Sequence, residues 1–483
     1  MRQIGTGAVG LLIIVAAVAG TAAAQTGPVA LPDSVAGRRV AAWLVAFNSG
    51  DDATIKTFFE ENIAAEARER RPIAERVSTM RELRSQLGAL EVRRVLEARA
   101  DRVVVLARGS EEFVSLTFAF EAQPPHGLLT VRLEQASGDE QAPPPPMTEA
   151  QALAAIRQEV EAAAAADEFA GSVLIARRGK TILLDAWGAA ERAFGSPNRP
   201  DTRFNLGSIN KLFTRVAVAQ LAQQGKLSLD DTIAKHLPDY PNADAAKKVT
   251  IRHLLDMSSG IGDFFGEKFD ATPKNRLRRN ADFLPLFAAE PLAFESGSKR
   301  QYSNGGYVVL GAIVEKVSGE DYHEYVRRHL FAPAGMASTD SFEADVVVAN
   351  LAEGYTHRWE PGAEVGDGPR RRNIYSRPAR GSAAGGGYST AEDLLRFANA
   401  LRGDTLLSPE WTDWMLSGVE PGGERQPRDQ GGLGFAGGAP GISATLEIDL
   451  GRDTTVVVMS NYDPPAATDI ARRIRRFLEA VAD

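Results

Sequence analysis

Apolar positions along this chain change period twice, and each change marks a change of architecture. From Arg38 to Phe47 (RRVAAWLVAF) the apolar residues recur at helical spacing, and Asn48-Ser49-Gly50-Asp51 supplies the stop. Helical patterns continue through Ile55–Phe59 and Ile73–Leu87. The period then shortens: Arg102–Ala107, Phe113–Ala119 and Leu128–Leu133 are β-branched or alternating runs separated by polar turns, which reads as strands. Helices followed by strands predict a small α+β domain over residues 31–136. The segment Ser137–Met147 (SGDEQAPPPPM) favours extended polyproline and reads as a linker over 137–147. Beyond it, Thr148–Ala166 predicts a helix, and Gly171–Arg177 and Thr181–Ala186 predict two strands around a turn at Arg178-Gly179-Lys180. A long, mostly helical middle follows. Strands return at Ala444–Leu450 and Thr454–Ser460, and a helix over Ala466–Ala482 closes the chain. Strands at both ends with helices between them predict, over residues 148–483, one antiparallel sheet flanked by helices.

The first residues obey another pattern. Arg2 precedes an apolar run from Val9 to Gly20, and small residues stand at Ala22 and Ala24. This is the layout of a secretory signal peptide over residues 1–24, cut after Ala24, and the run is shorter than a membrane span requires. The expected location is therefore secreted or periplasmic, with no membrane span after removal of the signal.

Composition narrows the function. The 483 residues are 44% hydrophobic and 24% charged, as in ordinary soluble domains, and the formal net charge of −8 gives nucleic-acid binding no electrostatic support. With no cysteine, disulfides and thiol nucleophiles are excluded. None of the six histidines forms a His-Glu-x-x-His pair or belongs to a Gly-x-Ser-x-Gly elbow, so no metal site and no α/β-hydrolase triad is expected.

Chemistry is suggested instead by Phe204-Asn205-Leu206-Gly207-Ser208-Ile209-Asn210-Lys211. Gly207 and Ser208 precede a helical pattern that runs to Gln224, with Gly225 as its stop. Residues three apart on a helix share a face, so the Lys211 amine can approach the Ser208 hydroxyl. A serine hydroxyl needs a base to become a nucleophile, and a lysine serves only if burial or a neighbouring cation lowers its pKa. Ser-x-x-Lys alone is weak, since a helix-capping serine reads the same way and a second copy stands at Ser296–Lys299. That copy lies in a turn rather than on a helix. Tyr302-Ser303-Asn304 adds a phenol and an amide two residues apart, ahead of a helix over Val308–Val317. The phenol can relay protons, and Asn304 can hold a substrate carbonyl or Lys211.

At these residues the chain resembles the serine β-lactamase-related hydrolases, which include class C β-lactamases, family VIII carboxylesterases and D-amino-acid-specific peptidases. The likeness spans about residues 150–483 and includes, in order, LSLDDTIAKHLPDYP (227–241), IRHLLDMSSGI (251–261), GYVVLGAIVEKVSG (306–319), GGGYSTAEDLLRFA (385–398) and GGAPGIS (437–443). It implies an α+β fold of the β-lactamase/penicillin-binding-protein type, with Ser208 as nucleophile, Lys211 and Tyr302 sharing the proton work and Asn304 orienting substrate. The Ser208 backbone N–H would form half of an oxyanion hole, and Gly438 the other half. The family's Lys/His-x-Gly element matches Phe435-Ala436-Gly437, so the expected cation for a substrate carboxylate is missing. The implied substrates are small esters or amides, or cell-wall-derived peptides and β-lactams, with no cofactor; a binding protein of the same fold that has lost turnover is the rival. AWLVAFNSGD (42–51) looks like the first helix of the cone-shaped NTF2-like (SnoaL-like) fold.

Overall fold

The computed structural model describes residues 29–110, 113–136, 144–357, 368–423, 428 and 432–481, so the apolar run at 9–20 and residues 137–143 lie outside the described residues. The chain divides into two compact units at residues 143 and 144.

In the first unit, α1 (Val35–Ser49) begins where Ser34 accepts a hydrogen bond from Gly37 N–H and ends at Gly50, a left-handed cap at φ 66°. Helices α2 (Asp52–Asn62), α3 (Ala65–Arg70) and α4 (Ile73–Leu87) follow. Four strands then form an antiparallel meander in the order β1 (Glu91–Ala98), β2 (Arg102–Arg108), β3 (Phe113–Phe120), β4 (Leu128–Ala136). Val40, Trp43 and Phe47 recur at helical spacing on the buried face of α1; Trp43 stacks on Phe47 at 5.0 Å and meets Phe118 edge-on at 5.3 Å. Strand β1 has no counterpart in the pattern reading. Its Glu, Arg, Leu and Ala residues favour helix, and it becomes a strand by pairing with β2 through two register shifts, at Val92/Arg94 and Val95/Glu97.

The second unit is built on a five-stranded antiparallel sheet. Its strands are β5 (Gly171–Arg177), β6 (Lys180–Trp187), β7 (Gly432–Ala439), β8 (Ile442–Asp449) and β9 (Thr454–Ser460), in the spatial order β7-β8-β9-β5-β6. Helices cover both faces, which is why β5 and β9 are buried at nearly every position instead of alternating. Val173, Ile175, Val456 and Val458 face α5 (Glu149–Ala165) and the closing helix. Leu174, Ala176, Val457 and Met459 face the opposite way, into a larger core around α6 (Asn210–Gln223) and α7 (Asn304–Ser318). The closing helix α8 (Ala466–Glu479) buries Ala467, Ile470, Ala471, Ile474, Phe477 and Leu478 at helical spacing.

Two departures from the sequence reading bear on function. Helix α7 starts at Asn304, not Val308, because the Ser303 hydroxyl caps it by accepting from Gly306 N–H at 2.8 Å; Gly305 and Gly306, poor helix formers, had hidden that first turn. Edge strand β7 (GLGFAGGA) is half glycine and has no strand signal of its own; pairing with β8 over its whole length makes it a strand.

Leu174 is fully buried in the larger core. Replacing it with alanine should lower the unfolding free energy in urea by about 2–5 kcal/mol, the usual range for such a cavity. Phe194→Ala, at a side chain 89% exposed, should leave it within about 0.5 kcal/mol.

Candidate active site

The approach to Ser208 is a tight passage. Leu206 N–H donates to Gly387 O at 2.7 Å and Gly207 N–H to Asn205 Oδ1 at 2.9 Å, and a 3₁₀ turn over Gly207–Ile209 delivers the chain into α6. Gly207 takes φ +48°, and a Cβ there would meet Gly438 N at 2.8 Å. Gly437 is tighter still: a Cβ would fall 2.0 Å from Leu206 O and 2.7 Å from Ser208 N. Two glycines thus let the serine turn and edge strand β7 approach backbone to backbone.

Around the hydroxyl, side chains from three segments meet. Lys211 Nζ lies 3.1 Å from Ser208 Oγ, 2.7 Å from Asn304 Oδ1 and 2.6 Å from Ala384 O. The Tyr302 hydroxyl is 2.5 Å from Ser208 Oγ. Asp263 Oδ2 accepts from Asn304 Nδ2 at 2.7 Å, which turns the amide oxygen toward Lys211.

Lys211 has no exposed surface, and that burial lowers its amine to about 7 against a partial opposing pull from Asp263. The contact set suits both protonation states. As an ammonium, Lys211 donates to all three oxygens. Once it gives up a proton, its two remaining N–H groups stay on Asn304 Oδ1 and Ala384 O, which can only accept; the lone pair is left for Ser208, whose hydroxyl can donate to it. Tyr302 is half exposed, and the partial withdrawal of its phenol from water still pushes it up to about 12, so at neutral pH it keeps its proton and can donate to or accept from Ser208.

These groups open onto a cavity of about 350 Å³, within the range of small-molecule sites. Ser208, Tyr302, Asn304, Ala436 and Gly438 line it, with Phe264, Phe265, Phe283 and Phe342 as apolar wall. Of the residues singled out in the sequence, Ser208, Lys211, Tyr302 and Asn304 come together, with Gly437 and Gly438 against the serine turn. Phe435 does not join them. Strand alternation packs it against the larger core, and Ala436 is the neighbour that lines the cavity. Ser296 stands apart in its turn, donating to Ser259 O at 2.9 Å. Sequence reasoning missed Asp263 and the Ala384 carbonyl. The former stands two residues beyond Ile261 in SSGIGD and offered an acidic side chain as a signal; the latter is a backbone atom and offered none.

A family model described as Beta-lactamase matches residues 155–480. Penicillin-binding protein 4* of Bacillus subtilis (strain 168) is 28% identical over 314 residues, covering 61% of this chain and 69% of that protein. Esterase EstB of Burkholderia gladioli is 31% identical over 311 residues, covering 57% of this chain and 74% of that one. A solved penicillin binding protein from Bacillus halodurans matches with a TM-score of 0.57 at 32% identity, over 67% of this chain and 99% of that one. The D-amino acid amidase of Ochrobactrum anthropi SV3 also reaches 0.57, over 68% of this chain and 98% of that one; at 23% identity it supports the fold alone.

Gly437→Ala tests the close approach of β7. The added methyl meets backbone, which cannot swing aside as a side chain would. Reaction of Ser208 with a fluorophosphonate should slow by about 100-fold, the scale of a 1 Å misplacement, while the far-ultraviolet circular dichroism stays the same.

Proposed function

This chain belongs to the beta-lactamase family of serine hydrolases, and from that premise we propose that it cleaves small carboxylic esters or amides through an acyl-enzyme on Ser208. The observation that carries the reading is the buried Lys211 amine, lowered to about 7 and hydrogen-bonded to the serine hydroxyl.

Ser208 Oγ attacks the carbonyl carbon as its proton passes to Lys211, with Tyr302 bonded to the same oxygen. The carbonyl oxygen gains the negative charge and is held by the backbone N–H groups of Ser208 and Gly438. Collapse breaks the bond to the leaving group, which departs with the proton returned through Lys211 and Tyr302. A water then attacks the acyl carbon, gives its proton to the same pair and frees Ser208 as the carboxylic acid leaves. Every step draws on this chain's own groups. Asn304, oriented by Asp263, holds Lys211 in line and keeps its second Nδ2 hydrogen for a substrate in the cavity that it lines.

A peptidoglycan-related D-amino-acid peptidase or β-lactamase is the second reading, supported by the penicillin-binding relatives. The esterase relative, at 31% identity, weighs toward esters, whereas Phe435, packed against the core, offers the cavity no group. We also propose export, on the charged, apolar and small-residue order of residues 2–24, and a separate small α+β domain over 31–136.

A fluorophosphonate probe should label the intact protein, with the modified peptide containing Ser208; an unlabelled, folded protein favours the binding rival. Lys211→Ala should slow acylation at least about 1000-fold without unfolding the chain, and near-normal rates would remove Lys211 from its role. Rates on p-nitrophenyl acetate, nitrocefin and D-Ala peptides separate the substrate readings.

The pH profile follows from the amine. Lys211 acts as a base only when neutral, so kcat/KM should rise with pH through a limb near 7. The Asp263 charge raises the Lys211 pKa, so Asp263→Asn should move that limb to lower pH.

A further inference from the structure

The cavity is not short of positive charge, although Phe435 contributes none. Arg377 and Arg380 both line it, and among the described residues no aspartate or glutamate does. The two arginines are held differently. Arg380 is tied to backbone, its Nε donating to Ser341 O at 2.8 Å. Arg377 Nη1 donates to the Tyr388 hydroxyl at 2.5 Å, and its buried Nε has no acceptor. Among the described residues no carboxylate lies within ion-pair distance of Arg377, whereas Arg278, Arg327 and Arg428, also partly buried, are each held by two carboxylates. A guanidinium partly withdrawn from water, with a tyrosine hydroxyl and no carboxylate as its partner, is an uncompensated charge, and an anion bound in the cavity would compensate it.

Its position is fixed by the same elements that position the nucleophile. Tyr388 pairs with Asn205, which is three residues before Ser208. The segment carrying Arg377 is pinned at its start by buried Asn373, whose side chain donates to Pro440 O at 2.8 Å, in the turn that follows Gly438 and Ala439. Pro378 restricts the backbone of Arg377 itself to extended conformations. The arginine is thus a braced part of the wall, next to the phenylalanine surface.

We propose that Arg377 is the anion-recognising group of this cavity, and that the enzyme selects esters or amides bearing a carboxylate on a substituent next to an apolar portion. The proposal rests on the acyl-enzyme reading for its substrate class. Arg377 would do from the loop over 373–380 what a cation at position 435 does not do here.

The test compares 4-nitrophenyl hydrogen glutarate with 4-nitrophenyl butyrate, which share a leaving group and differ by a terminal carboxylate. Wild type should favour the glutarate. In Arg377→Ala the glutarate-to-butyrate ratio of kcat/KM should fall by about 10- to 100-fold, the range for one charged hydrogen-bonding contact, mostly through KM. Arg377→Lys should recover part of it, since an ammonium keeps the charge and loses the fork. An unchanged ratio, with both esters slowed alike, would reduce Arg377 to bracing Tyr388 and overturn the proposal. Should wild type turn over neither ester and also take no fluorophosphonate label, the hydrolase reading fails; with or without the label, the anion site is then read from calorimetry instead. Wild type should bind 3-phenylpropionate at least about 10-fold tighter than 3-phenylpropanamide, and Arg377→Ala should lose the difference. Equal affinities in wild type would sink the anion site whatever the turnover.

Discussion

A lysine amine with no exposed surface is the constraint around which this site is arranged. Burying an ammonium is costly unless oxygens surround it. Here Ser208 Oγ, Asn304 Oδ1 and Ala384 O do so, each brought from a different segment of the chain. Desolvation still outweighs the pull of Asp263, and the amine is lowered to about 7. The sign of the consequence for stability follows by linkage. Below about 7 the folded and unfolded chains both hold the proton, and the burial cost is fully present. Between about 7 and the ordinary lysine value of 10.5 the folded protein is already neutral, so that cost shrinks as pH rises. The protein therefore keeps a group that weakens the fold at neutral pH, and the same burial makes it usable as a base.

Holding that arrangement explains why the surrounding backbone is so constrained. Ser208 stands in the 3₁₀ turn that runs without a break into the helix carrying Lys211, so their separation is set by one continuous helical run. Asn304 comes on a second helix, fixed at its first position because Ser303 both caps the helix and donates to Gly262 O at 3.0 Å. Strand β7 has to lie against the serine turn, and Gly207 and Gly437 are the residues whose lack of a side chain permits it. The large apolar core beneath the sheet, with Leu174, Leu446, Val457 and Met459 facing α6, holds these elements in register. Local chemistry is thus rigid because non-local packing leaves it no slack.

Legibility in the sequence tracked how local each feature is. Ser208 and Lys211 could be paired from spacing alone, and Tyr302-x-Asn304 from proximity, because each pair lies within one turn or loop. The closing helix and strands β5, β6, β8 and β9 were legible because their apolar periods are long and regular. Strand β1 and edge strand β7 were not, since pairing partners rather than propensity make them strands. Phe435 shows the same limit from another side. Matching it to a motif located it on the correct strand, but which face it occupies depends on the strand's register against its neighbour. The structure turns it toward the core and gives the cavity Ala436.

That inversion separates two things a motif joins. Lys211 and Asn304 sit on helices, Ser208 in the turn that opens one of them and Gly438 on the glycine-flanked strand, where small displacements are suppressed. The groups available to recognise the rest of a substrate lie elsewhere: the phenylalanines of the wall, and the braced loop over 373–380. Acyl-transfer chemistry asks for the first set in nearly one geometry. Recognition asks only that the second set match the substrate in shape and sign, so it can relocate from strand to loop without disturbing the nucleophile. A chain without the strand cation therefore lacks one way of reading a substrate, while the buried amine bonded to Ser208 is untouched by that absence.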